Sequence, residues 1–181
     1  MSDYDFYNLD QIEQIAVNLF HGWGYNFYRL ENQLRADDLT IRAKIGWLLG
    51  LSRAQVDNAE SAYRRAFLPP PTREKPRPDA SAVEGAQSLE RLSRDIGALE
   101  GQIRAQPVPE NDRMTQRYRH EAATLKRLIA CDTTLAGRAE MLRSLLEGKD
   151  GAALIEKIAE IRAGLSSIDA ALRDRQAALV V

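Results

Sequence analysis

Histidine and cysteine are nearly missing from this chain, which has two His and one Cys in 181 residues. With Cys131 alone, an internal disulfide and a multi-cysteine metal site are excluded. A chain of this length buries enough core to need neither, and the cysteine usage suits a reducing compartment. His21 and His120 fall one in each half. The Glu-x-x-His pairs of di-iron bundles are absent, because Arg117 stands three residues before His120. There is also no glycine-rich phosphate loop and no serine-histidine-acid arrangement. The sequence therefore predicts no enzyme and no cofactor. A small-ligand, haem or single-metal site using His21, His120 or Cys131 stands as a minor alternative.

An excess of one charge is missing too. Lys and Arg number 25 against 26 Asp and Glu, a formal charge of −1. The chain as a whole thus lacks the positive charge selected by phosphate backbones or anionic lipid, so nucleic acid and membrane are not expected partners. Apolar runs fall far short of the roughly 20 residues that span a bilayer. The opening Met1-Ser2-Asp3-Tyr4-Asp5 is acidic where a secretory signal is basic. These features together predict a cytoplasmic protein. Alternation of apolar and polar residues is scarce as well, while Ala, Leu, Arg and Glu suit long helices, so the fold is expected to be all-α.

What is present is clearest after about Ala82. Three apolar stripes follow at alternating three- and four-residue spacing, the seam of helices packed side by side. Leu89, Leu92, Ile96, Leu99 and Ile103 form the first. Met114, Tyr118, Leu125, Leu128, Leu135, Ala139, Leu142 and Leu146 form the second, and Leu154, Ile158, Ile161, Leu165, Ile168, Leu172 and Leu179 the third. Pro107-Val108-Pro109 and Gly148-Lys149-Asp150-Gly151 separate them, connections short enough to force antiparallel neighbours. The middle helix, expected from Asp112 to Glu147, would be on the order of 50 Å long. Part of it must then meet the N-terminal half or another chain.

Ahead of these lie three predicted helices. Asn8 caps the first, whose inner face is Leu9, Ile12, Ala16, Leu19, Trp23, Phe27, Leu30 and Leu34, and which runs to about Arg35. Ile41, Ile45 and Leu48 face inward from the second. Gly50 ends that helix, and Ser52 with Gln55 forms a capping box for the third, making a corner near Leu51. Pro69-Pro70-Pro71 to Pro78 cannot be helical. The chain thus divides into an N-terminal three-helix segment over 1–67, a proline-rich linker over 68–80 and a C-terminal antiparallel three-helix bundle over 81–181. The whole is a bundle of about six helices, with long coiled-coil-like members.

Residues that break the pattern are the candidate sites. Glu121, Asp132 and Arg175 occupy seam positions, where buried polar groups are expected; folding the last two helices back at Gly148 brings Arg175 near Glu121, leaving Asp132 to find a partner elsewhere. Phe20 to Arg29 holds five aromatics in ten residues. On its helix, Trp23 faces the core, while His21, Tyr25, Tyr28, Asn32 and Arg35 form a second stripe edged by Arg29 and Glu31. A surface rich in Tyr, Trp and Arg has the composition of binding hot spots, so His21, Trp23, Tyr25, Tyr28, Arg29, Asn32 and Arg35 are the expected partner-binding residues. Arg113, Arg117, Arg119 and His120 form a further candidate patch for an anion or an acidic partner.

The stretch Ile45-Gly46-Trp47-Leu48-Leu49-Gly50-Leu51-Ser52-Arg53-Ala54-Gln55-Val56 resembles the corner of a helix-turn-helix DNA-binding motif. The resemblance implies a regulator reading DNA through Arg53 and Gln55, with the coiled-coil helices dimerising. Residues 1 to 67 nonetheless carry seven Lys or Arg against nine Asp or Glu, where a DNA-binding domain is basic. The leading expectation is an interaction or accessory protein that binds a protein partner, or a second copy of itself, by helix-to-helix docking.

Overall fold

The computed structural model describes residues 5–24, 34–73, 76–106 and 121–179, with 34–38, 121–126 and 179 described through their backbone only. Among these residues there are six helices and no strand: α1 (Leu9–Trp23), α2 (Leu34–Phe67), α3 (Ala80–Arg104), α4 (Glu121–Leu146), α5 (Gly151–Glu156) and α6 (Ile158–Leu179). The chain is an all-α helical bundle.

Capping explains where α1 begins and ends. The Asn8 side chain accepts the Gln11 N–H at 3.2 Å. At the other end Gly24 adopts φ 67° and donates its N–H to the His21 carbonyl. A left-handed glycine closes a helix, so α1 stops at Trp23 and not at Arg35, where the periodicity carried it. Ile12 and Ala16 are buried as expected, with Leu19 and Trp23 partly so. Leu9, however, is 62% exposed. The inward place at this end of α1 is taken by Phe6, whose ring lies against Gly164 of α6.

The corner expected at Leu51 does not exist. Residues 34 to 67 form one continuous helix, and Ser52, instead of capping, donates its hydroxyl to the Leu48 carbonyl at 3.0 Å. Ile41, Ile45, Leu48 and Leu49 ahead of Gly50, and Val56 and Ala59 behind it, make one unbroken buried stripe. Breaking the helix would split that stripe, a larger loss than the ~1 kcal/mol that a mid-helix glycine costs. Gly46 and Gly50 face α3 instead: a Cβ on them would meet Arg104 Nε at 3.4 Å and Glu100 Oε1 at 3.9 Å.

The helix pair α2 and α3 runs antiparallel. Arg42 reaches the Gln106 carbonyl at one end, Ser93 and Asp57 share a hydrogen bond farther along, and the Tyr63 hydroxyl lies over Gly85 at the other. Asp79 caps α3 through the Ser81 N–H at 3.0 Å. All five residues of its predicted stripe are buried. The proline-rich segment thus separates in sequence two helices that lie side by side, and one apolar cluster gathers residues from both sides of it.

The most enclosed helix is α4, packed against α1, α2 and α6. Its buried set is accordingly wider than one stripe: Leu135, Ala136, Ala139, Met141, Leu142, Leu145 and Leu146. Gly148, at φ 68°, lets the chain turn, and Asp150 caps α5 through the Ala153 N–H at 2.9 Å. The chain then breaks again at Lys157 before α6. Because α5 packs on α2 and α3, the connection that returns the chain to α4 is longer than the glycine turn alone. That extra length resets the register between α4 and α6.

Candidate interaction surface

The reset register decides what Arg175 meets. Its Nε donates to Asp132 Oδ1 at 2.7 Å, and both side chains have 0% exposure. The expected pairing with Glu121 placed the fold-back about one helical turn too early. Glu121 itself is the first residue of α4, and its side chain lies outside the described residues. Asp132, expected to find its partner elsewhere, meets this cation from α6. Such a pair binds two helices in one stagger, and it is enclosed by protein on all sides.

A second buried cation, Arg138, ties the start of the chain to the bundle. It donates to the Phe6 carbonyl at 3.1 Å and to the Ser167 carbonyl, and the Tyr7 ring centroid lies 5.9 Å from its guanidinium. Burial lowers its pKa from the ordinary arginine value, yet arginine starts so high that it keeps its charge at neutral pH. Asp132, Arg138 and Arg175 are therefore structural groups, each engaged by the helices around it.

Cys131 is half-buried beside that ion pair. Burial raises the thiol pKa, and the Asp132 and Asp174 carboxylates raise it further. A raised pKa means less thiolate, the reactive form. Alkylation by iodoacetamide at pH 8 is expected to run severalfold slower than for glutathione; an equal or faster rate would show an activated thiol. Among the described residues no group of three or more His, Cys, Asp or Glu is placed to hold a metal. A cavity of about 380 Å³ opens between the ends of α3 and α6, lined by Gln102, Gln106, Asp169, Leu172, Arg173 and Gln176. Its open, amide-rich wall holds no nucleophile beside a base.

Part of the aromatic surface can be placed. The Phe20 and Trp23 rings meet at 5.6 Å between centroids, and Lys44 of α2 sits over the Trp23 ring at 5.5 Å. Trp23 thus joins α1 to α2, while His21 in the last turn of α1 is exposed. Tyr25, Tyr28, Arg29 and Asn32 lie outside the described residues, as does the side chain of Arg35. The Arg113, Arg117, Arg119 and His120 patch also lies outside them.

The surface that sequence reasoning missed is on α2. Once the helix is continuous, a turn of about 100° per residue places Leu39, Ala43, Trp47, Leu51, Ala54, Asn58, Ser61 and Arg65 on one side, opposite Ile45, Leu49 and Val56. Every one of these outward residues is exposed. Trp47 shows 54% of its surface, Leu39 52% and Leu51 40%. Their spacing was visible in the chain, but a corner at Gly50 would have parted Trp47 from Leu51. No helix among the described residues is long and apolar enough to cross a membrane. No family model, curated protein or solved structure matches the chain.

Proposed function

We propose that this protein is a non-catalytic helical-bundle interaction protein, an adaptor or assembly factor of the cytoplasm, that docks a protein partner on an outward helix face. The observation that carries this reading is Trp47. A half-exposed indole stands between two exposed leucines, on a helix whose reverse side is locked into the core by Ile45, Leu48 and Leu49. Tryptophan on a rigid, pre-organised support is the residue type on which binding energy concentrates, because it contributes large area at small entropic cost. Scattered apolar surface residues are ordinary, whereas three large ones on one helix face are a patch.

A DNA-reading role for Arg53 and Gln55 loses its geometric basis with the corner, since Arg53 lies along α3, over Gly97, and pairs with Asp57. The test of the interaction reading is a comparison. Trp47→Ala combined with Leu51→Ala is expected to leave the melting temperature within about 2 °C, as surface substitutions do. Quantitative comparison of what co-purifies from the native host with each form should show at least one protein lost with the variant. Identical sets from both forms, together with unchanged self-association, would refute the reading.

A further inference from the structure

The outward stripe of α2 is free of charge for most of its length. From Leu39 to Ser61, about 33 Å at 1.5 Å per residue, its centre line holds apolar, small and amide side chains, and Arg65 comes only at the far end. Lys44 stands at one edge, over the Trp23 ring. The other ionisable groups of this stretch of α2 are turned toward α3. Arg53 lies over Gly97 and pairs with Asp57, Asp57 accepts the Ser93 hydroxyl, and Arg64 joins Glu60 to Glu90. A charged partner surface would therefore lose water over this stripe and find no opposite charge on it, which opposes binding. An occupant must bring an uncharged stripe of its own.

A second copy of this chain brings one, and the order of sizes along the helix makes it self-complementary. A two-fold axis between Trp47 and Leu51, with the two α2 helices antiparallel, sets Trp47 of each copy against Leu51 of the other. The same axis sets Ala43 against Ala54 and Leu39 against Asn58. Large residues then meet at the centre, and small ones meet beside them, where small side chains let helix axes approach to about 8–10 Å. In this arrangement like flanks meet, so Lys44 comes level with the amide of Gln55 and no two like charges are opposed. From this we infer that the occupant of the α2 face is a second copy of the chain, docked as an antiparallel, two-fold symmetric α2 pair. The inference rests on the interaction reading above and names its partner. One helix pair falls toward the small end of specific interfaces, whose standard size is about 800 Å² per partner. The dimer is therefore expected to depend on concentration.

The test has two parts, both with the full-length protein. Light scattering between about 5 and 300 µM should show the mass rising from 20.3 kDa toward twice that value, and Trp47→Ala should weaken the association at least tenfold. Disulfide trapping then reads the direction. Ala43→Cys and Ala54→Cys, each at an exposed position, should cross-link to one another when the two variants are mixed and oxidised, and neither should cross-link to itself. The unaltered chain, with Cys131 alone, is the control, and circular dichroism checks that each variant folds. A dimer in which Ala43→Cys couples to itself would overturn the antiparallel pairing. A dimer unaffected by Trp47→Ala would overturn the assignment of this face. A monomer at every concentration would overturn the second copy as occupant, while loss of a co-purifying protein with the Trp47 and Leu51 variant would still uphold the interaction reading with a foreign partner.

Discussion

Replacing Asp132 alone with Ala is expected to destabilise the bundle by about 3–5 kcal/mol, because it takes that carboxylate from a guanidinium held in the interior. For a chain of this size that corresponds to a fall of roughly 6–20 °C in melting temperature. Arg175→Ala should cost a similar amount, through an uncompensated carboxylate and a cavity left by a large side chain that is fully buried. The informative experiment is the double replacement, Asp132→Leu with Arg175→Met. If the pair acts chiefly as a register device, the double variant should recover most of the lost stability, since a well-packed apolar pair avoids desolvating two charges. Its cost should then appear as loss of a single stagger between α4 and α6. Broadened amide signals from these two helices would report that loss. A single replacement that costs less than about 1 kcal/mol would show that water reaches the pair in solution.

The same ion pair marks how far the sequence could be read. That ionisable residues at Asp132 and Arg175 would sit on the seam followed from periodicity, because Leu128 and Leu135 on one helix and Ile168 and Leu172 on the other are buried on the same faces. Who pairs with whom did not follow, since it depends on where the chain reverses, and the break at Lys157 carries no glycine or proline to announce it. The first stripe, Leu89 to Ile103, was legible throughout because α3 has strict spacing and a cap at Asp79. The opposite case is α2. Gly50, Leu51, Ser52 and Gln55 make a strong local turn signal, yet a buried stripe from Ile41 to Ala59 outweighs it. Local chemistry predicts an end wherever capping residues stand, but only the neighbours show whether ending there would expose the core. The Trp47 face was hidden by that one error, and the aromatic run from Tyr25 to Arg29 is not among the described residues.

Gly137→Ala is the second substitution expected to have a large effect, and it probes how α1 is held. A Cβ at Gly137 would overlap the Ile12 carbonyl oxygen and stand 2.6 Å from Ile12 Cγ2. The obstacle is helix backbone, which cannot rotate aside as a long side chain can. Ala gains ~1 kcal/mol over Gly in helix propensity, but overpacking a closed contact costs typically about 1–3 kcal/mol, and backbone contacts fall at the upper end. The expected net result is a loss of about 1–2 kcal/mol, with α1 lifted from α4. Because Ile12 and Ala16 are the buried contacts of α1, that lift should expose α1 amides to hydrogen exchange well before the α2 and α3 amides. Gly101→Ala supplies the control. Nothing stands within 4 Å of a Cβ there, so the propensity gain should appear unopposed, as an increase of up to about 1 kcal/mol. If Gly137→Ala behaves like Gly101→Ala, then α1 is not seated on α4 in solution. The Trp23–Lys44 contact with α2 and the Phe6 ring against Gly164 of α6 would then hold α1 instead.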